Sequence, residues 1–61
     1  MKRQTILYKV FENFYDAIDY THLIDYEEII KGFEIGSFEM TISHVIYTWV
    51  LEIKARKEVT K

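Results

Sequence analysis

Two pairs of residues in this chain have types that metal binding or catalysis would need. Asp19 and His22 lie three residues apart, the spacing at which a carboxylate and an imidazole on one helix can share a metal ion. His44 has no comparable partner, so we expect His22 to be a packed or hydrogen-bonded residue, with no metal and no cofactor. Ser43 and His44 are adjacent, but neighbouring residues of a helix face different directions. The chain also has no cysteine and no nucleophile elbow, so we expect that it is not an enzyme.

The strongest signal is the segregation of charge along the chain. From Glu12 to Glu39 there are eight acidic residues and one basic residue, a charge of −7, while the remainder carries +5. One interpretation is an acidic, tyrosine-rich surface that imitates nucleic-acid phosphates and blocks a basic protein. The alternative is an ordinary solvated helix face that attracts the basic ends of the chain. The residues that we assign to partner binding are Glu12, Tyr15, Asp16, Asp19 and Tyr20.

The carboxyl-terminal end of the chain is basic. Its cations could contact a nucleic-acid backbone, although cations also favour the last turn of a helix because they meet its negative end. The net charge of −2 weighs against nucleic acid as a partner. A nucleic-acid-binding accessory protein is therefore the alternative function, and it would use Lys54, Arg56, Lys57 and Lys61.

Hydrophobic periodicity predicts three helices that would position these residues. At 100° per residue, a first helix over 5–20 places its apolar side chains on one side and its acids on the other. These apolar residues are Leu7, Phe11, Phe14 and Ile18. Asp25 and Glu28 have capping-box spacing and Gly32 is a plausible carboxyl cap, which predicts a second helix over 26–32.

A third helix over 38–57 is predicted with Ser37 as its amino cap. Its apolar stripe would comprise Phe38, Ile42, Val45, Ile46, Trp49 and Ile53. The alternative is a mixed α+β chain with a hairpin around Gly36-Ser37, since the flanking residues also alternate as strands do. The strand version needs a break between Ile42 and Val45, where no turn residue stands, and we therefore favour an all-α helical hairpin or three-helix domain.

The length of the chain indicates self-association. Residues 1–61 make one small domain, and a chain of this size buries only about 60% of its unfolded surface, so a second copy would supply burial that the monomer lacks. In the predicted third helix, Tyr47 and Leu51 lie outside the core stripe, with Ala55 beside them. These three residues are the predicted contact of a homodimer or larger homo-oligomer.

The sequence therefore predicts a small, helical, non-enzymatic protein-interaction module. We expect a regulator or inhibitor that binds a protein partner, whose identity the residues do not reveal. Lys9 and Glu12 interrupt the apolar core that a signal peptide would need, and the longest uncharged apolar stretch is too short to span a bilayer. Together with the absence of cysteine, this predicts a cytoplasmic protein with no membrane contact.

Overall fold

The computed structural model describes residues 2–58, which form one antiparallel sheet with two short helices. In chain order the elements are β1 (Gln4–Phe11), α1 (Phe14–Leu23), α2 (Tyr26–Ile29), β2 (Glu39–Val45) and β3 (Thr48–Ala55). The strands lie in the order β1-β3-β2, and both strand pairs are antiparallel. The last strand in the sequence is therefore the middle strand, with a bonded neighbour on each side.

Burial along β3 alternates with a period of two. Leu51, Ile53 and Ala55 are buried, whereas Glu52 and Lys54 between them are only partly covered. Successive side chains of a strand point to opposite faces, so one face of the sheet carries the core and the other is open to solvent. The register places Leu51 between Lys9 and Ile42 of the two flanking strands.

Helix α1 covers the core face of the sheet. An amino cap fixes where the helix begins, and the side chains on its inner side pack against the strands. Asn13 has an extended backbone and its side-chain oxygen accepts a hydrogen bond from the Asp16 amide at 2.9 Å, which is the geometry of an amino cap. Ala17 is fully buried, and its small side chain lets the helix approach the sheet closely. Phe14 reaches Trp49 on β3 with a ring-centroid distance of 4.9 Å.

The segment before β2 is held to the end of β3 by backbone hydrogen bonds, by a buried hydroxyl and by an ion pair. Ser37 Oγ donates to the Glu34 carbonyl at 2.7 Å and accepts from the Arg56 amide at 2.9 Å. The Glu34 carboxylate also accepts from Arg56 Nε at 2.8 Å. Gly36, with φ +92°, supplies the positive dihedral that the tight turn from Glu34 to Ser37 requires.

The predicted all-α domain is wrong. The first predicted helix is helical only from Phe14, because residues 4–11 form β1 at the edge of the sheet. The second prediction has the right start, with the Asp25 carboxylate accepting from the Glu28 amide, but α2 ends at Ile29. The third predicted helix is replaced by β2 and β3, because these residues pair as antiparallel strands and burial along β3 alternates with the period of a strand.

The predicted alternative hairpin is also misplaced. Its turn was expected at Gly36-Ser37, whereas the hairpin of this chain turns at Ile46-Tyr47, between the paired residues Val45 and Thr48. Both central residues have positive φ, at +37° and +63°. The break that the strand interpretation was expected to need between Ile42 and Val45 does not exist, because β2 runs to Val45 and the chain turns after it at two large residues.

The chain is thin and leaves much of its surface uncovered. Its smallest dimension is 13 Å, which holds one sheet and one layer of helix, and its radius of gyration is 12.7 Å. A compact chain of this length would have a radius of gyration of about 10.5 Å. None of the helices in residues 2–58 has the length and apolar character needed to cross a bilayer.

The alternation along β3 predicts unequal effects of two neighbouring truncations. Leu51→Ala opens a cavity in the core and should lower the free energy of unfolding by about 2–5 kcal/mol. Val50→Ala, on the open face, should cost on the order of 1 kcal/mol. Urea unfolding followed by circular dichroism measures both; equal losses at the two positions would contradict the one-sided burial of β3.

Candidate protein-interaction site

One end of the sheet is built from a row of aromatic rings. The register aligns Phe11, Trp49 and His44 on β1, β3 and β2, and the imidazole of His44 stacks on Trp49 with ring centroids 4.6 Å apart. Phe14, at the start of α1, meets Trp49 edge-on, and Tyr15 follows at 6.2 Å from Phe14. Stacked and edge-to-face ring contacts stabilise beyond their buried area, so these rings form an aromatic platform at this end of the sheet.

The turn between β2 and β3 stands at the tip of this platform. A two-residue loop with positive φ at both positions is a type I′ turn, which normally contains asparagine and glycine because other residues are strained there. Here the two positions are Ile46 and Tyr47, which are 83% and 88% exposed. A β-branched residue in the left-handed region costs about 1–3 kcal/mol, and these side chains recover little of that cost by burial in the described chain.

The amino end of α1 adds further exposed groups at the same end of the sheet, because β1 ends there and α1 begins there. Tyr15 is 78% exposed. Glu12 and Asp16 flank it and are also exposed. We name the surface formed by Phe14, Tyr15, Val45, Ile46 and Tyr47 the hairpin end.

The acidic residues predicted to bind a partner have different roles in the structure. Glu12 and Asp19 are exposed, as is Asp16, but the Asp16 carboxylate also accepts from the Asn13 side-chain amide at 2.9 Å and so helps to cap α1. Tyr20 is half-buried: its ring packs on Phe11 with centroids 5.4 Å apart. The predicted surface therefore contains exposed acids beside an aromatic residue that belongs to the packed platform.

Lys9 also belongs to the surroundings of Tyr20. Its ammonium lies 4.8 Å from the centre of the Tyr20 ring, a cation–π distance. This contact brings one positive charge to the edge of an acidic surface and holds the Tyr20 ring in place.

The residues predicted for self-association are separated by the fold. Leu51 and Ala55 are fully buried on the core face of β3, so a second copy cannot reach them in this fold. Tyr47 alone is exposed, and it lies in the turn rather than on a helix. The predicted contact surface was a consequence of the third helix and falls with it.

Among the described basic residues of the alternative function, none lies at the end of a helix. Lys54 lies in β3 opposite Glu39, and the Arg56 guanidinium is paired with Glu34. Lys57 is exposed and its backbone bridges to Phe33, while Lys61 lies outside the described residues. Lys54 and Arg56 are thus each close to an acidic residue, and this lowers their attraction for phosphates.

The structure also shows where the residues considered for catalysis and metal binding lie. Ser43 and His44 are successive residues of β2 and point to opposite faces of the sheet, so no hydroxyl–imidazole pair forms between them. Within residues 2–58 no group of three or more histidine, aspartate or glutamate side chains is placed to hold a metal ion.

Sequence analysis missed Ile46 and the ring cluster around Trp49. Ile46 was counted as a core residue of a helix, because nothing in the Ile-Tyr dipeptide marks a type I′ turn. The pairing of His44 with Trp49 depends on the register of two strands, which the periodicity argument did not contain. The usable signal was the alternation from Trp49 to Ile53, which fits a strand as well as a helix.

No protein-family model matches the chain, and neither the curated proteins nor the solved structures include a significant match to it.

The strained turn predicts a gain of stability from substitution. Ile46→Asn combined with Tyr47→Gly supplies the residues that a type I′ turn favours, so the free energy of unfolding should rise by about 1–2 kcal/mol. The melting temperature of a domain of this size then rises by roughly 4–8 °C per kcal/mol.

The matched control is Ile46→Thr with Tyr47→Ser, which removes apolar surface without favouring positive φ. This control should not raise the melting temperature. A loss of stability in the Asn-Gly variant would show that the turn is not type I′ or that its side chains are packed.

Proposed function

We propose that this protein is a small non-enzymatic interaction module that binds a protein partner through the hairpin end. The observation that supports this most strongly is the turn itself: two large apolar side chains occupy positions where they strain the backbone and remain exposed. Strained backbone that persists in a folded chain is typical of functional sites. Glycine or asparagine at either position would make the protein more stable. We therefore infer that Ile46 and Tyr47 serve binding rather than folding.

The chemistry of the hairpin end indicates the kind of partner. Tyrosine and other aromatic residues are favoured anchors in interfaces, where they fill pockets and exclude water. Glu12, Asp16 and Asp19 are exposed, and the two aspartates lie within one helical turn of Tyr15 on α1. We infer a partner surface with an apolar pocket and a rim of lysine or arginine, because rim charges of opposite sign steer association.

This mode of binding fits a regulator or inhibitor that occupies a basic surface of its target. Catalysis has no part in the proposal. A cytoplasmic setting is proposed with it, on the basis of the cysteine-free composition.

Two isoleucines at opposite ends of the sheet allow a matched test. Ile46 and Ile35 are 83% and 88% exposed, but Ile35 lies in the turn beside the end of β3, far along the strand from the hairpin. Full-length protein is immobilised and used to capture partners from extract of the native cell, with the Ile46→Ala and Ile35→Ala variants in parallel. The captured partner is then titrated against each variant.

We expect Ile35→Ala to bind as the unmodified protein does, and Ile46→Ala to bind about tenfold more weakly or worse, as truncated interface anchors do. Asp19→Lys should weaken binding most at low salt, because Asp19 makes no capping contact that its reversal would disturb. If Ile46→Ala and Ile35→Ala bind equally well, the hairpin end is not the contact surface.

A further inference from the structure

The two edges of the sheet are protected to different degrees. β1 carries a register shift between Thr5 and Leu7, and such bulges disturb the row of backbone groups that an added strand would need. Lys9 near the middle of β1 adds a charge on the core face. Bulges and inward-pointing lysines are devices by which proteins prevent pairing at a sheet edge.

β2 has none of these devices. All seven of its residues, Glu39–Val45, pair with β3 in one unbroken register, and the strand contains no lysine, arginine, proline or glycine. Six of the seven residues are exposed. Its outer side has no strand partner among residues 2–58, so every second residue directs its backbone N–H and C=O to solvent.

The sequence of β2 is complementary to itself when two copies run antiparallel about Ile42. Ile42 then faces Ile42 of the second copy, and Thr41 faces Ser43, so apolar meets apolar and hydroxyl meets hydroxyl. Met40 faces His44 in the same register, and Glu39 faces Val45. No charge meets a like charge in any of these pairs.

The geometry points to a homodimer in which β2 of one copy pairs antiparallel with β2 of a second copy, forming a continuous six-stranded sheet. A two-fold axis perpendicular to the sheet relates the copies, so both α1 helices lie on the same face and the two hairpin ends point in opposite directions. Seven paired residues give roughly six to eight hydrogen bonds between the copies. The inference is independent of the proposed function, because β2 pairing engages only Val45 of the hairpin end and leaves Ile46, Tyr47 and the start of α1 free.

The exposed area of the chain is consistent with a second copy. The chain exposes 4925 Å², whereas a compact monomer of 7.4 kDa would expose about 4,200 Å². The excess of roughly 700 Å² is close to the area of about 800 Å² that one partner buries in an interface of standard size.

A pair of double variants tests the register. In the proposed dimer, position 41 of each copy faces position 43 of the other. Thr41→Lys/Ser43→Lys therefore sets lysines against each other twice, whereas Thr41→Lys/Ser43→Glu sets lysine against glutamate twice. Within one copy both variants place a lysine at position 41 opposite Glu52, and they differ only at position 43, which faces the uncharged Val50.

Sedimentation equilibrium over the micromolar range gives the dissociation constant of each full-length protein, and circular dichroism checks that each is folded. We expect the unmodified protein and the Lys/Glu variant to dimerise, and the Lys/Lys variant to have a dissociation constant about tenfold higher or more than the Lys/Glu variant. A folded but monomeric unmodified protein would overturn the inference.

Equal weakening by both variants would also overturn it, since that result is expected if the open faces of two sheets pack together instead. In either case, dependence of partner capture on Ile46 remains measurable, so failure of the dimer and failure of the proposed function can be told apart.

Discussion

The structure depends on β3 being the middle strand of a sheet that is covered on one face only. Leu51, Ile53 and Ala55 are buried beneath the helical layer, while the other face of the same strand stays open. A three-stranded sheet with one apolar face is close to the smallest arrangement that is stable alone, and within residues 2–58 the helical layer covers only one face of it. This arrangement leaves an open face, two strand edges and a projecting hairpin turn.

Because the core is small, the persistence of backbone strain at the Ile46-Tyr47 turn indicates that these two residues have a role other than stability. The core has to offset the cost of positive φ at Ile46, and a chain with little spare stability has little margin for such positions. The rings of Trp49, His44 and Phe14 stabilise the strand ends behind the turn and keep it in place. Rigid support behind two exposed apolar side chains is the arrangement that a binding anchor needs, since less freedom is lost on association.

The prediction of the first helix was correct from Phe14 onward, whereas the strands were predicted as helices. The strands were missed because a spacing of four residues fits both a helix and a strand. Leu7 and Phe11, like Trp49 and Ile53, are four residues apart, which places them on one face of a helix and equally on one face of a strand. In α1 the capping residue Asn13 and the acids on the outer side agree with helical periodicity, so the helix itself and the partial burial of Ile18 were predictable, whereas Phe14 remains exposed beside Trp49. In β2 and β3 the two periods compete, and pairing with distant strands decides between them.

The site could be predicted only in part. Acids and tyrosines are visible in the sequence, and Glu12, Tyr15 and Asp19 are exposed as expected. The role of Ile46 could not be predicted, because a turn made by two apolar residues has no sequence signature. The burial of Leu51 and Ala55 was hidden by the helical interpretation, in which the same residues faced outward.

Amide hydrogen exchange, followed residue by residue by NMR, tests the position of β3 most directly. If β3 is the middle strand, consecutive amides from Trp49 to Lys54 are bonded to one neighbour or the other and exchange slowly, while Ile46 and Tyr47 exchange quickly. Slow exchange that runs without interruption from Ile42 through Tyr47 to Ala55 is the pattern of a single helix, and it would contradict the fold.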